Sequence, residues 1–198
     1  MRQETGSNPN SADKKVSIQV KLGGRSFSAD NTIQAEGVDN VEFVIDTPRV
    51  TLAPREVVTL DNAAEILRLT GKPCHSNEQS VCSELQADIV AIIAIDIHAL
   101  ETIVAKWGSR ASFSTPLLDM RHSNEECLTI DCSERVCYMR LFKGGLQRAE
   151  ALDATTAEDA LLYATEWLGE GSTTTIYIKG CKAAAKLLKK YFKRVICE

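Results

Sequence analysis

Residues 128–145, LTIDCSERVCYMRLFKGG, place one acid, Asp131, directly before a tight turn that joins two strand-like runs. An acid there can hold a metal ion or a water, and a turn of small residues lets backbone N–H groups approach a phosphate. The same arrangement also serves as an ordinary strand-end carboxylate. Other stretches offer comparable chemistry. Gly23-Gly24 marks a turn, and Gly180 ends the β-branched run TTTIYIKG. From Lys179 to Arg194 there are seven basic residues and no acid, which leaves about −11 elsewhere against a total charge of −4. Lys182, Lys186, Lys189, Lys190 and Lys193 fall on one face of a helix expected from about Lys182 to Tyr191. Ala183, Ala184, Leu187, Leu188 and Tyr191 fall on the other. Such a face is either solvated or a docking surface for an anionic partner, nucleic acid included.

Several chemistries find no support. GEGSTTT at 169–175 is Gly-rich but contains Glu170 and lacks the lysine of a P-loop, and no G-x-S-x-G appears. His75, His98 and His122 stand far apart and read as surface or cap residues. A two-metal nuclease site would need a third acid beside Asp131 and Glu158 or Asp159, and TTTIYIKG offers none. Of the seven cysteines, Cys127, Cys132 and Cys137 recur every five residues, so on strands they should point to alternating faces, against a shared metal. Buried or idle thiols in a reducing compartment are expected, with no metal. The longest apolar run, IVAIIAI at 89–95, is far shorter than the roughly 20 residues of a membrane helix. Residues 1–15 read as a flexible polar tail with no signal peptide. A cytoplasmic protein with no membrane span follows.

The elements that must position these residues are clearest after residue 120. Strands are expected at 127–133, 135–143 and 145–152, with Gly144-Gly145 as the second turn. A helix follows, capped by Thr155 with Glu158 and carrying Ala157, Ala160, Leu161, Ala164, Trp167 and Leu168 to a stop at Gly169. TTTIYIKG, the lysine-rich helix and RVICE complete a β-β-β-α-β-α-β order, whose crossovers require a parallel sheet. The N-terminal part gives a similar order. VSIQVKL and RSFSAD flank Gly23-Gly24, VEFVIDT makes a third strand, and RVTLAP extends or follows it. Asp61 caps a helix that Gly71 ends, DIVAIIAI is a strand covered on both faces, and Asp96 caps a helix that Gly108 ends. ASFSTPLL closes the series, and residues 72–87, long for a structureless loop in a compact domain, either hide a short helix or are mobile.

Two such units in tandem resemble the actin-like ATPase superfamily, and more narrowly an uncharacterised bacterial family of actin-like-fold proteins, a domain of unknown function. The resemblance spans 16–198. It rests on VSIQVKLGGRSFS, PRVTLAPREV, DALLYATEWL and TIYIKGCKAAAKLLKKYF in that order. In active superfamily members two hairpins, each with an acid and a small turn, hold the phosphates and Mg²⁺, and a Gly-Gly strand end makes room for the adenosine. By resemblance the cofactor-binding positions here are Gly23, Gly24, Asp131, Ser133 and Gly180. Gly23, Gly24, Asp131 and Gly180 are kept, but each motif departs from the pattern around them. Gln19 and Lys21 stand where the first acid belongs, Cys132 and Ser133 replace small turn residues, Glu134 adds negative charge, and Cys181 replaces a second glycine.

The expectation is therefore an α/β chain of two ribonuclease-H-like halves, 16–120 and 121–198, forming an actin-like ATPase fold without large insertions. It acts as a non-catalytic binding or scaffold protein, a pseudoenzyme that has a protein partner and needs no cofactor. The alternatives are weak ATP/Mg²⁺ binding at the cofactor positions and nucleic-acid binding through the five lysines.

Overall fold

Along residues 127–153 successive side chains alternate between two buried faces, and that alternation builds a five-stranded sheet. The computed structural model describes residues 15–20, 40–84 and 87–198. Strands β7 (Cys127–Cys132), β8 (Val136–Phe142) and β9 (Leu146–Asp153) form an antiparallel meander. β10 (Thr175–Lys179) then joins β7 in parallel, and β11 (Val195–Cys197) joins β10, giving the order β11-β10-β7-β8-β9. The crossovers are helices α3 (Ala157–Leu168) and α4 (Lys182–Leu188). This is the β-β-β-α-β-α-β order expected of the C-terminal part.

Each face of the sheet has its own core. Leu128, Ile130, Cys137 and Met139 pack under Ala160 and Ala164 of α3 and Ala184, Ala185 and Leu188 of α4. The alanines let both helices lie close to the strands, and each fully buried Leu, Ile or Met contributes roughly 1.5–3 kcal/mol. The opposite face sends Val136, Tyr138 and Ala151 into a core shared with Val41, Phe43, Val50, Ile93, Ile103, Trp107 and Leu117 from the N-terminal part.

That N-terminal part departs from the expected order among its described residues. Strands β1 (Lys15–Val20), β2 (Asn40–Ile45) and β6 (Ala111–Ser114) form a parallel sheet, β1-β2-β6. A separate antiparallel sheet, β3-β5-β4, holds β3 (Val50–Pro54), β5 (Ile89–Asp96) and β4 (Glu78–Cys82). The division falls at Asp46-Thr47-Pro48-Arg49. Pro48 has no N–H for a ladder, and Arg49 N donates to Thr47 Oγ1 at 3.2 Å, so the chain leaves one sheet for the other. RVTLAP follows VEFVIDT as a strand of its own.

The central β5 strand is buried on both sides as expected, but its neighbours run antiparallel. Val90, Ile92 and Ala94 face α1 (Ala63–Leu69), while Ala91, Ile93 and Ile95 face the shared core. β4 occupies part of the 72–87 stretch, tied down where Glu78 pairs with Arg49. Asp96 caps α2 (Ile97–Trp107) by accepting from His98 N at 3.0 Å and Ala99 N at 3.2 Å. The cap before α1 is Asn62 rather than Asp61, and the capping box of α3 is Thr156 with Asp159, one residue past the expected pair. RSFSAD, Gly23-Gly24 and the polar tail up to residue 14 lie outside the described residues.

Polar contacts also join the parts. Tyr138 Oη donates to the buried Asp46 carboxylate at 2.7 Å and accepts from Thr47 N at 2.8 Å. Lys72 Nζ donates to the carbonyls of Val50 on β3 and Ala151 on β9, at 3.0 and 2.8 Å. Burial lowers the Lys72 pKa, which Glu150 and Asp153 only partly offset.

Candidate functional site

Asp131 is the penultimate residue of β7, on the face that turns toward the shared core. Its β8 partner across the ladder is Tyr138, and Thr129 faces Arg140 in the same register. Arg140 is therefore the diagonal neighbour of Asp131, and it is only 2% exposed. Each arm of its guanidinium has an acceptor. Nε donates to Thr129 Oγ1 at 2.8 Å, Nη1 to the Pro116 carbonyl, and Nη2 to Asp131 Oδ2. A buried guanidinium deprived of its carboxylate costs about 3–5 kcal/mol, so Asp131 has a structural task where it stands.

Ser133 closes the same hairpin. Its N–H donates to the Val136 carbonyl at 2.8 Å and its Oγ reaches the same oxygen at 3.4 Å. Gly180 sits one residue beyond Lys179, which is the parallel partner of Asp131. Its φ is +86°, and a Cβ there would stand 1.9 Å from the Cys132 carbonyl oxygen. Only glycine lets the end of β10 approach β7 so closely. Asp131, Ser133 and Gly180 thus lie close together where β7 and β10 end, and each has a local structural reason. Gly23 and Gly24 lie outside the described residues.

The five lysines do not share one helix face. The helix stops at Leu188, and its buried side is Ala184, Ala185 and Leu188; of the expected apolar set Ala184 and Leu188 are buried, while Ala183 is exposed and Tyr191 is 58% exposed. Lys182, Lys186 and Lys189 line a groove of about 360 Å³ with Ile178, Gly180 and Ala185. Lys190 instead lines a separate groove beside α3, with Leu161 and Tyr191. Lys193 lies in the turn before β11. A further groove, about 700 Å³, runs between β6 and the segment after β4 and includes none of the residues singled out by sequence.

Among the described residues no histidine is hydrogen-bonded to a cysteine. His122 is the one with a developed environment. Its Nδ1 lies 2.8 Å from Glu125 Oε1, its Nε2 lies 2.9 Å from Glu198 Oε1, and its ring stacks on Tyr177 with centroids 4.0 Å apart. Tyr177 Oη donates to Glu125 at 2.7 Å, and Arg121 bridges Asp119 and Glu198. Burial pulls the imidazole down, but the two carboxylates outweigh it and hold its pKa above 6.5. Among the described residues no three His, Cys, Asp or Glu side chains are gathered as a metal site would require, and no helix is long and apolar enough to cross a membrane.

Sequence reasoning missed Arg140, Asp46 and Tyr138. The signal for Arg140 was present as a lone charge inside the apolar strand VCYMRLF, which must find a buried counter-charge.

No family model and no curated protein matches the chain. Among solved structures, a Bacteroides thetaiotaomicron protein described as having an actin-like ATPase fold and unknown function matches with a TM-score of 0.65. The two are 19% identical over 81% of this chain and 69% of that one. At that identity the likeness establishes fold alone. The chain is built on an actin-like ATPase fold. The cytoplasmic domain of EpsL, an inner-membrane component of the Vibrio cholerae type II secretion system, scores 0.39 at 13% identity, over 73% of this chain and 62% of its own. An AlfA filament bound to AMPPNP scores 0.38 at 11% identity, over 80% and 51%. At those scores neither carries weight.

Two outcomes follow from this geometry. Gly180→Ala should lower stability in denaturant melts by about 1–3 kcal/mol from the positive φ alone, and further through the contact with the Cys132 carbonyl. His122, with its folded pKa raised, contributes stability that is fully present below its ordinary value of 6.5 and lost as pH rises through the folded value. The melting temperature of the parent should fall across that window, and His122→Gln should flatten the fall.

Proposed function

We propose that the chain is a non-catalytic binding or scaffold protein on an actin-like frame, composed of two ribonuclease-H-like halves at about 16–120 and 121–198. The observation that carries this reading is the pairing of Asp131 with the buried Arg140. A carboxylate that neutralises a buried guanidinium is not free to position Mg²⁺, and withdrawing it would leave Arg140 uncompensated. The close approach of Gly180 to Cys132 and the presence of Gln19 and Lys21 where an acid would serve support the same conclusion. The frame then serves as a rigid support, and recognition falls to its surfaces. Thermal unfolding with and without millimolar Mg-ATP or Mg-ADP tests this. No change in melting temperature is expected, whereas a rise that Asp131→Ala abolishes would restore the ATP-binding alternative.

A second reading is favoured by the groove of Lys182, Lys186 and Lys189 beside α4. These three make no ion pair among the described residues, and Glu198, which also lines the groove, is engaged by Arg121 and His122. An anionic partner, nucleic acid included, would be held there. Binding of a generic single-stranded oligonucleotide should weaken steeply with added salt, and Lys186→Glu with Lys189→Glu should abolish it. Salt-insensitive binding, or none, excludes this reading.

A further inference from the structure

The spacing of Cys132 and Cys137 suggested opposite faces, but a turn intervenes between them. Because the chain reverses at Glu134-Arg135, the two residues become direct partners across β7 and β8 and share the face covered by α3 and α4. Their Sγ atoms are 3.2 Å apart. The ladder places this pair favourably. Ser133 N donates to the Val136 carbonyl, so Ser133 and Val136 form the hydrogen-bonded pair closing the hairpin. By alternation Cys132 and Cys137 occupy the adjacent non-hydrogen-bonded position, where Cα atoms are typically about 4.5 Å apart and side chains are closest. That separation falls within the range disulfides span, and the sulfurs need close by only about 1.2 Å to reach bonding distance.

We propose that Cys132 and Cys137 are a redox modification site, a dithiol that closes to an intrachain disulfide by exchange with a low-molecular-weight disulfide. Cys132, the more exposed of the two, attacks one sulfur of the reagent as thiolate. The reagent's S–S bond breaks, one thiol leaves with the proton that Cys132 gave up, and a mixed disulfide remains on Cys132. Cys137 then loses its proton and attacks Cys132 Sγ, expelling the second thiol, which takes that proton. The protein is oxidised by two electrons, and one disulfide is reduced to two thiols. The hydrogen bond to Cys137, with burial, holds the Cys132 thiol above its usual range, so the first step quickens with rising pH.

The neighbourhood makes the modification consequential. The Cys132 carbonyl lies against Gly180, and Cys181, the next residue, caps α4 by accepting from Ala184 N at 3.4 Å. Drawing Cys132 toward β8 therefore acts where β7, β10 and α4 meet.

The test incubates the whole chain with oxidised glutathione at mildly alkaline pH, blocks free thiols and digests without reduction. Trypsin cuts after Arg121, Arg135 and Arg140, so a closed disulfide links residues 122–135 to residues 136–140. The expected product is that linked pair, two hydrogens lighter than the separate thiol peptides, with Cys132 rather than Cys127 identified on fragmentation. Reduction should separate it, and Cys127→Ser and Cys181→Ser chains should still form it. Exposed Cys197 reports that the reagent is active by taking up a glutathione adduct. A stable adduct on Cys132, linkage of Cys132 to Cys181, or both thiols blocked while Cys197 reacts would each overturn the proposal. The mapping is done on the unaltered chain and so does not depend on a variant folding.

Discussion

A guanidinium placed where water cannot reach it governs the inner face of the five-stranded sheet. Arg140 is 2% exposed, and its charge is met by Asp131 while Thr129 and Pro116 take its remaining arms. Pro116 belongs to the connection between β6 and β7, so a single side chain ties the meander to the segment that delivers it. Burying an ion pair adds less to stability than its geometry suggests, because desolvation offsets most of the attraction, but breaking one is expensive. A one-residue slip of the hairpin would part Arg140 from both Thr129 and Asp131.

The opposite face of the same sheet follows a different logic. Small residues on α3 and α4 press both helices onto Leu128, Ile130 and Met139 with no buried charge. Near the closed end of the hairpin the two regimes meet, with Asp131 facing one way and Cys132 the other. Gly180 closes this point from β10, since no larger residue fits against the Cys132 carbonyl. Asp131, Ser133 and Gly180 are each engaged here with the protein itself.

Much of the C-terminal part could be read in advance because its signals are local. Gly144-Gly145, both at positive φ, marks one turn, and Ala160 and Ala164 recur at helical spacing. The ion pair could not be read because it depends on register. Expected strands of 127–133 and 135–143 leave a single residue to turn on, whereas the two-residue turn at Glu134-Arg135 is what makes Arg140 diagonal to Asp131. The Tyr138–Asp46 contact joins residues 92 apart, beyond any local pattern. In the N-terminal part the apolar run at 89–95 pointed to a strand covered on both faces, which leaves the direction of its neighbours open. Burial by α1 on one side and the shared core on the other gives an antiparallel strand the same composition.

The place of Asp131 in this chain is tested most directly by a double-mutant cycle of Asp131→Ala, Arg140→Met and the pair together, followed by denaturant unfolding. A structural Asp131 predicts that its loss alone costs about 3–5 kcal/mol and that adding Arg140→Met recovers most of it, because the stranded charge is gone. If Asp131→Ala unfolds with the stability of the parent and the two substitutions simply add, the carboxylate is not the counter-ion of Arg140 and is free for a ligand.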